Sequence, residues 1–298
     1  MRGFATVGRA TPATGGQGEE TGGRDGDPAS QGRAIRRLYR GGMGVNLLEV
    51  SDVTVEFGGI KALTGVSLSA EAGKVTSVIG PNGAGKTTLF NVISGFYPAQ
   101  AGSVVFAGAN LLPLPAHRRA GMGIARTFQN LALFAGMSVI ENIKLGAHAQ
   151  LRAGLFAAAL YWGKAQREER DITRRIDAEI LPLLELQAYR DRPVSGLPYG
   201  ILKRIELARA LVSAPRFLML DEPFAGMNAA EKGRMVRHIG AVVEATSVTA
   251  LLIDHDMQSV MSLSDRVVVL NFGRRIAAGT PAEVQRDPAV IEAYLGEA

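Results

Sequence analysis

The chain contains no cysteine and only four histidines, His117, His148, His238 and His255. Without thiols, disulfides and thiolate metal centres are excluded, which fits a reducing compartment. No two of the histidines stand at a metal-ligand spacing, so the sequence offers no zinc site. Long apolar runs are also missing. The best, Leu155 to Trp162, is eight residues long and is soon followed by "KAQREERDITRR", whereas a bilayer span needs ~20 residues. The N-terminus has no apolar core of a signal peptide. The expectation is a soluble chain, any membrane role of which must come through a partner. Excess charge of one sign is small. Of the formal net charge of +5, residues 1–42 supply seven arginines against four acids, leaving 26 basic and 24 acidic groups over residues 43–298. A nucleic-acid binder concentrates basic charge on its folded part, so nucleic acid is not expected as a partner.

What is present points to a globular protein. A hydrophobic content of 47% with 20% charged residues supports a sizeable core, and 298 residues allow one large domain or a core with an insert. Residues 1–42 hold 11 of the 36 glycines and almost no apolar periodicity. Such a stretch cannot offset its ordering entropy, so a disordered extension is expected. "RGG" just before Met43 can be encoded by a purine-rich sequence resembling a ribosome-binding site, so translation is expected to begin at Met43.

From Met43 the pattern changes. "MGVNLLEVSDVTVEF" alternates as a strand does, and "LTGVSLSAEAGKVTSVIG" gives two more strands, of which Val75–Ile79 is apolar enough to be central. A helix over 86–94 stops at Gly95, and strands follow at "GSVVFAG" and near "GIARTFQ". From Ser138 to Leu211 the periodicity is helical, opened by a capping box of Ser138 and Glu141. The charged stretch from Lys164 to Glu179 reads as a solvent-facing helix. Strand, helix and strand then alternate through "RFLMLDEP", 229–245 (capped by Asn228 and Glu231) and "SVTALLID". Strands "DRVVVLN" and "RRIAAG" and a terminal helix complete an α/β core interrupted by a helical insert.

Three segments carry chemistry. "GPNGAGKTT" comprises Gly80, Pro81, Asn82, Gly83, Ala84, Gly85, Lys86, Thr87 and Thr88, and lies between a buried strand and a helix. Gly, four residues, then Gly-Lys-Thr is the phosphate-loop pattern: successive N–H groups turn inward around phosphates, Lys86 reaches the β- and γ-phosphates, and the Thr87 hydroxyl ligates Mg²⁺. "FLMLDEP" is the matching second half, delivering Asp221 to the Mg²⁺ shell and Glu222 to an attacking water. A third segment, "LPYGILKRIELARAL", opens on Pro198 and Gly200, which suit a helix start, and continues as a helix from Tyr199. A helix N-terminus suits a phosphate.

On these residues the chain, over about 46–298, resembles the ATP-binding subunits of ABC transporters. The resemblance implies a P-loop NTPase core of RecA-like, ABC type, with an antiparallel β subdomain and an inserted α-helical subdomain at about 137–213. It implies that Phe57 in "VEFGGIKAL" stacks on adenine, and that Gln129 in "ARTFQN" touches Mg²⁺ and senses the transmembrane partner. Asn228 in "AGMN" stands in the loop that crosses the dimer interface, where Asp is usual, and His255 matches the switch histidine at the γ-phosphate. Leu197-Pro198-Tyr199-Gly200-Ile201 takes the place of the signature Leu-Ser-Gly-Gly-Gln, keeping only the first Leu and the last Gly, and serves the ATP held by the opposite subunit. Within the family, "GIARTFQNLALFAGMSVIENIKLGAH", "DEPFAGMN" and the end "VIEAYLGEA" resemble the larger ATPase of branched-chain amino-acid uptake systems. That implies ATP and Mg²⁺ as cofactors, two permeases, a second ATPase subunit (as a heterodimer, or as a homodimer), a periplasmic substrate-binding protein, and a peripheral place on the cytoplasmic face of the cell membrane. The ATPase of lipopolysaccharide export, a soluble ABC ATPase acting on DNA or ribosomes, and a small-molecule kinase are the alternatives.

Overall fold

Three mostly apolar, fully buried pentapeptides form the centre of the larger sheet. In the computed structural model, which describes residues 45–127, 132–150 and 162–295, Val75–Ile79 (β3), Phe217–Asp221 (β7) and Thr249–Ile253 (β8) are buried at every position. Near-continuous apolar runs are what strands covered on both faces require. Residues 1–42 and Gln129 lie outside the described residues. All described residues belong to one compact unit, which begins at Gly42.

The six-stranded sheet has the order β10-β9-β3-β8-β7-β6, where β6 is Ile124–Arg126, β9 Arg266–Asn271 and β10 Arg274–Gly279. All its pairings are parallel except that of β10 with β9. A second, antiparallel sheet has the order β2-β1-β4-β5, formed by Asn46–Phe57 (β1), Ile60–Glu71 (β2), Ala101–Phe106 (β4) and Ala109–Asn110 (β5). The alternation read in β1 is the core face: Val50, Val53 and Val55 are buried. Together with Leu63, Val66 and Phe106 they enclose Leu89 and Phe90 of helix α1 (Lys86–Ser94), with Phe217, Leu251 and Leu270 of the larger sheet. Each such large side chain contributes about 1.5–3 kcal/mol on burial. This fastens the phosphate-loop helix between the sheets.

The opposite face of the larger sheet is covered by helices. Val139–Lys144 (α3), Tyr199–Leu211 (α6) and Ala229–Thr246 (α7) pack their apolar stripes with Leu218, Leu220, Leu252 and Val267. Ala116–Gly121 (α2), short and without an apolar stripe, gave no periodic signal. The expected capping boxes are present. Ser138 N–H donates to Glu141 Oε2 at 2.7 Å, and Asn228 Oδ1 accepts from Glu231 N–H at 3.0 Å.

The insert is less uniformly helical than its periodicity predicts. Trp162–Arg175 (α4) passes through a π-helical stretch, Ile176–Ile180, into the single turn Leu181–Leu183 (α5). Glu185 then takes a left-handed φ of 51°, and the chain to Pro198 is irregular except for the 3₁₀ turn Gln187–Tyr189. Pro198 has no N–H to give to a preceding turn and suits the helix start at which it stands. The irregular stretch is fixed by the Val139 N–H, which donates to Arg192 O at 2.9 Å. After β10 the chain closes with two helices, Pro281–Arg286 (α9) and Pro288–Leu295 (α10), where one was expected; Met257–Leu263 forms α8.

Candidate functional site

The phosphate loop leaves β3 at the carboxyl edge of the sheet, where ligands of open α/β sheets bind. Gly80 is required there: a Cβ on it would lie 2.0 Å from Leu270 O of the neighbouring strand. Gly85 closes the loop with φ 98°, and its Cβ would lie 2.7 Å from Ala62 O, on the β2 strand that comes after Phe57. Helix α1 therefore begins without a side-chain cap or an acidic residue in its first turn. Its first N–H groups have no intrahelical partner, which suits a phosphate. Lys86 Nζ lies over the same loop, donating to Gly80 O at 2.6 Å and Pro81 O at 2.7 Å. The loop, the uncapped helix start and the cation fit a nucleotide's phosphates.

The other candidates arrive on adjoining strands. Asp221 ends β7, opposite Ile253 of β8, and β8 in turn lies beside β3 with Val78 opposite Ile253. Asp221, Glu222 and His255 thus gather at the edge from which the phosphate loop springs. Glu222 holds a left-handed φ of 47°, a conformation that costs a non-glycine residue about 1–3 kcal/mol. Its N–H donates to Ile253 O at 2.8 Å, which helps to secure it. Thr87 is exposed and Asp221 buried. A hydroxyl and a carboxylate are hard oxygen donors of the kind Mg²⁺ takes alongside phosphate oxygens. Among the described residues there is no cluster of three His, Cys, Asp or Glu able to hold a metal alone, so Mg²⁺ here would rest on the nucleotide as well.

His255 is well exposed, its Nδ1 3.8 Å from Asp254 Oδ1. Asp254 itself is wholly buried, and its carboxylate accepts the N–H of Phe224 at 3.0 Å and of Asp256 at 2.9 Å. Burial alone would raise the Asp256 carboxyl, but hydrogen bonds from Lys232 and Ser259 outweigh it and hold that carboxyl at about 2. Phe57, at the end of β1, is half-exposed and meets Tyr97 edge to face, with ring centroids 5.1 Å apart.

The Leu197–Ile201 segment lies elsewhere, against the loop after Glu222. A Cβ on Gly226 would come 3.2 Å from Tyr199 Cε1, and one on Gly200 3.1 Å from Glu231 Oε1. Pro198 caps α6 without a side-chain hydrogen bond. The Ile201 side chain is buried in the core and its N–H donates to Pro198 O at 2.9 Å. At this helix start the N–H groups of Tyr199 and Gly200 precede any intrahelical partner.

Sequence reasoning gave no role to Arg126 or Asp254. Arg126 Nη2 donates to Asp221 Oδ2 at 2.7 Å, the two side chains 10% and 6% exposed. A cation at the end of an otherwise apolar strand, in "GIARTFQ", was the signal that could have found it. The buried carboxylate in "LLIDHD" was legible in the same way.

With this geometry in place, comparison with known proteins gives concordant matches. Residues 63–225 match the family model of the ABC transporter, and residues 274–298 that of the branched-chain amino acid ATP-binding cassette transporter. The chain is 42% identical over 252 residues to the high-affinity branched-chain amino acid transport ATP-binding protein BraF of Pseudomonas aeruginosa, covering 85% of this chain and 98% of that protein. The corresponding LivG protein of Escherichia coli matches with the same identity and coverage. Among solved structures, the ADP conformation of MJ1267, an ATP-binding cassette of an ABC transporter, superposes with a TM-score of 0.74 at 33% identity, over 85% of this chain and 99% of that one.

Proposed function

Since the chain belongs to the ABC transporter family of ATP-binding cassettes, we propose that it is the ATP-hydrolysing subunit of an importer of branched-chain amino acids. The observation that carries this reading is the convergence of Lys86, Asp221, Glu222 and His255 on neighbouring strand ends at one edge of the sheet. The C-terminal match and the transport for which BraF and LivG are named support the substrate class.

In this reading Phe57 stacks on adenine while the N–H groups of Gly80 to Thr88 and Lys86 hold the phosphates. Thr87, Asp221 and Gln129 hold Mg²⁺, which when bound neutralises charge on the β- and γ-phosphate oxygens. Glu222 orients or deprotonates the attacking water, and His255 contacts the γ-phosphate. Leu197 to Ile201 covers the ATP of a second ATPase subunit, whose own signature covers the ATP on Lys86. No helix among the described residues is long and apolar enough to cross a membrane. The subunit docks on permease chains at the cytoplasmic face of the membrane, through Gln129 and the insert, and a periplasmic binding protein delivers the substrate.

Purification from membranes in mild detergent tests this. The expected result is a complex with two permeases whose ATPase is stimulated by a leucine-loaded binding protein. A complex that exports a lipid, or a subunit free of any permease, overturns the assignment.

A further inference from the structure

Thr87 and Asp221 stand on different elements, the first turn of α1 and the end of β7. One side chain spans the two. Arg126, the last residue of β6, gives Nη2 to Asp221 Oδ2 at 2.7 Å. With Nη1 it donates to Asn91 Oδ1 at 2.8 Å and Ser94 Oγ at 3.1 Å, both on α1. Its guanidinium also lies 5.6 Å from the ring centroid of Phe90, on the same helix, and 5.9 Å from that of Phe96.

We infer that Arg126 is a positioning residue that brackets β7 to α1 and so sets the spacing at which Asp221 and Thr87 meet Mg²⁺. This rests on the proposed roles of those two residues. A guanidinium suits the task because its two terminal nitrogens lie in one rigid plane, whereas an ammonium is a single point on a flexible stem. The ion pair is almost fully buried, so solvent and salt screen it little. Arg126 also stands three residues before Gln129. Residues that orient a metal's ligands without touching the metal typically govern its affinity by about 10–100-fold.

The test is the affinity of the full-length chain for a non-hydrolysable ATP analogue, with Mn²⁺ and again in EDTA. The ratio of the two measures the help given by the metal. Arg126→Lys and Arg126→Met are expected to lower that ratio about tenfold and leave the EDTA value within about twofold. Asn91→Ala, which removes a helix anchor and keeps the ion pair, should lower it less, and serves if the Arg126 variants do not fold. A wild-type ratio in Arg126→Lys overturns the bracket in favour of charge alone. A wild-type ratio in every variant, with only a lower melting temperature, overturns it in favour of a purely structural role. Asp221→Ala separates the two levels. If it lowers the ratio while the Arg126 and Asn91 variants do not, the inference fails alone; if it too keeps the ratio, the reading of Asp221 fails and the inference with it.

Discussion

The wholly buried carboxylate of Asp254 accepts the backbone N–H of Phe224 at 3.0 Å, joining the loop after Glu222 to the loop that carries His255. Its other oxygen accepts the Asp256 N–H at 2.9 Å. Asp254→Asn puts an amide donor against one of these N–H groups and leaves it unpaired, which costs about 1–3 kcal/mol. Thermal unfolding should show that loss. ATPase assays should show a fall in kcat at nearly unchanged KM for ATP, because the loops that lose their tie carry Glu222 and His255, the two residues proposed to act at the γ-phosphate. An unchanged kcat in a destabilised protein would restrict Asp254 to stability.

Pro198→Ser is expected to gain on two counts. Ser at this N-cap can accept an N–H from the first turn of α6, worth about 1 kcal/mol of stability, and it restores a hydroxyl and an N–H beside Tyr199 and Gly200. If one charge-assisted bond to the partner's γ-phosphate returns in the transition state, turnover at that site rises about tenfold. Ile201→Gln should do the opposite, since Ile201 is part of the core and a buried amide without partners costs about 1–3 kcal/mol. Unfolding temperatures and steady-state ATPase rates of the assembled transporter check both. No gain from Pro198→Ser would show that "LPYGI" works as well as the usual signature.

His238 of α7 sets a pH dependence. Burial, with Arg204 and Arg237 nearby, depresses its folded pKa against the opposing pull of Glu185 and a hydrogen bond with the Leu183 backbone. A histidine kept neutral in the fold takes up a proton on unfolding, so its contribution is full above the unfolded value of about 6.5 and is lost as pH falls toward the depressed folded value. Urea unfolding at pH 8 and pH 5.5 should therefore show a larger loss of stability in the wild type than in His238→Gln. Equal losses would mean that His238 does not couple folding to protons.

The glycine-rich turn after β3, the strand β7 and the caps of α3 and α7 were legible because each arises from local chemistry: glycine at positive φ, a mostly apolar run, a side chain closing a helix end. The strand order β9-β3-β8-β7 was not, because nothing local in "SVTALLID" says which strands flank it. The bracket formed by Arg126 was hidden for the same reason. Its partners, Asn91, Ser94 and Asp221, lie up to 95 residues away and meet only once the sheet is assembled. The irregular chain from Leu184 to Pro198 reads as helix in the sequence because apolar spacing persists there; Leu184, Leu186 and Val194 are buried, but from non-helical backbone.

Whether ATP bound at Lys86 is hydrolysed through Glu222 is decided by the hydrolysis rate at this subunit's own site in Glu222→Gln. General-base roles are typically worth about 10²–10⁴-fold in rate. A fall of that size is expected, with Mg²⁺–ATP still bound and the closed dimer retained. Turnover at the wild-type rate in Glu222→Gln would contradict it.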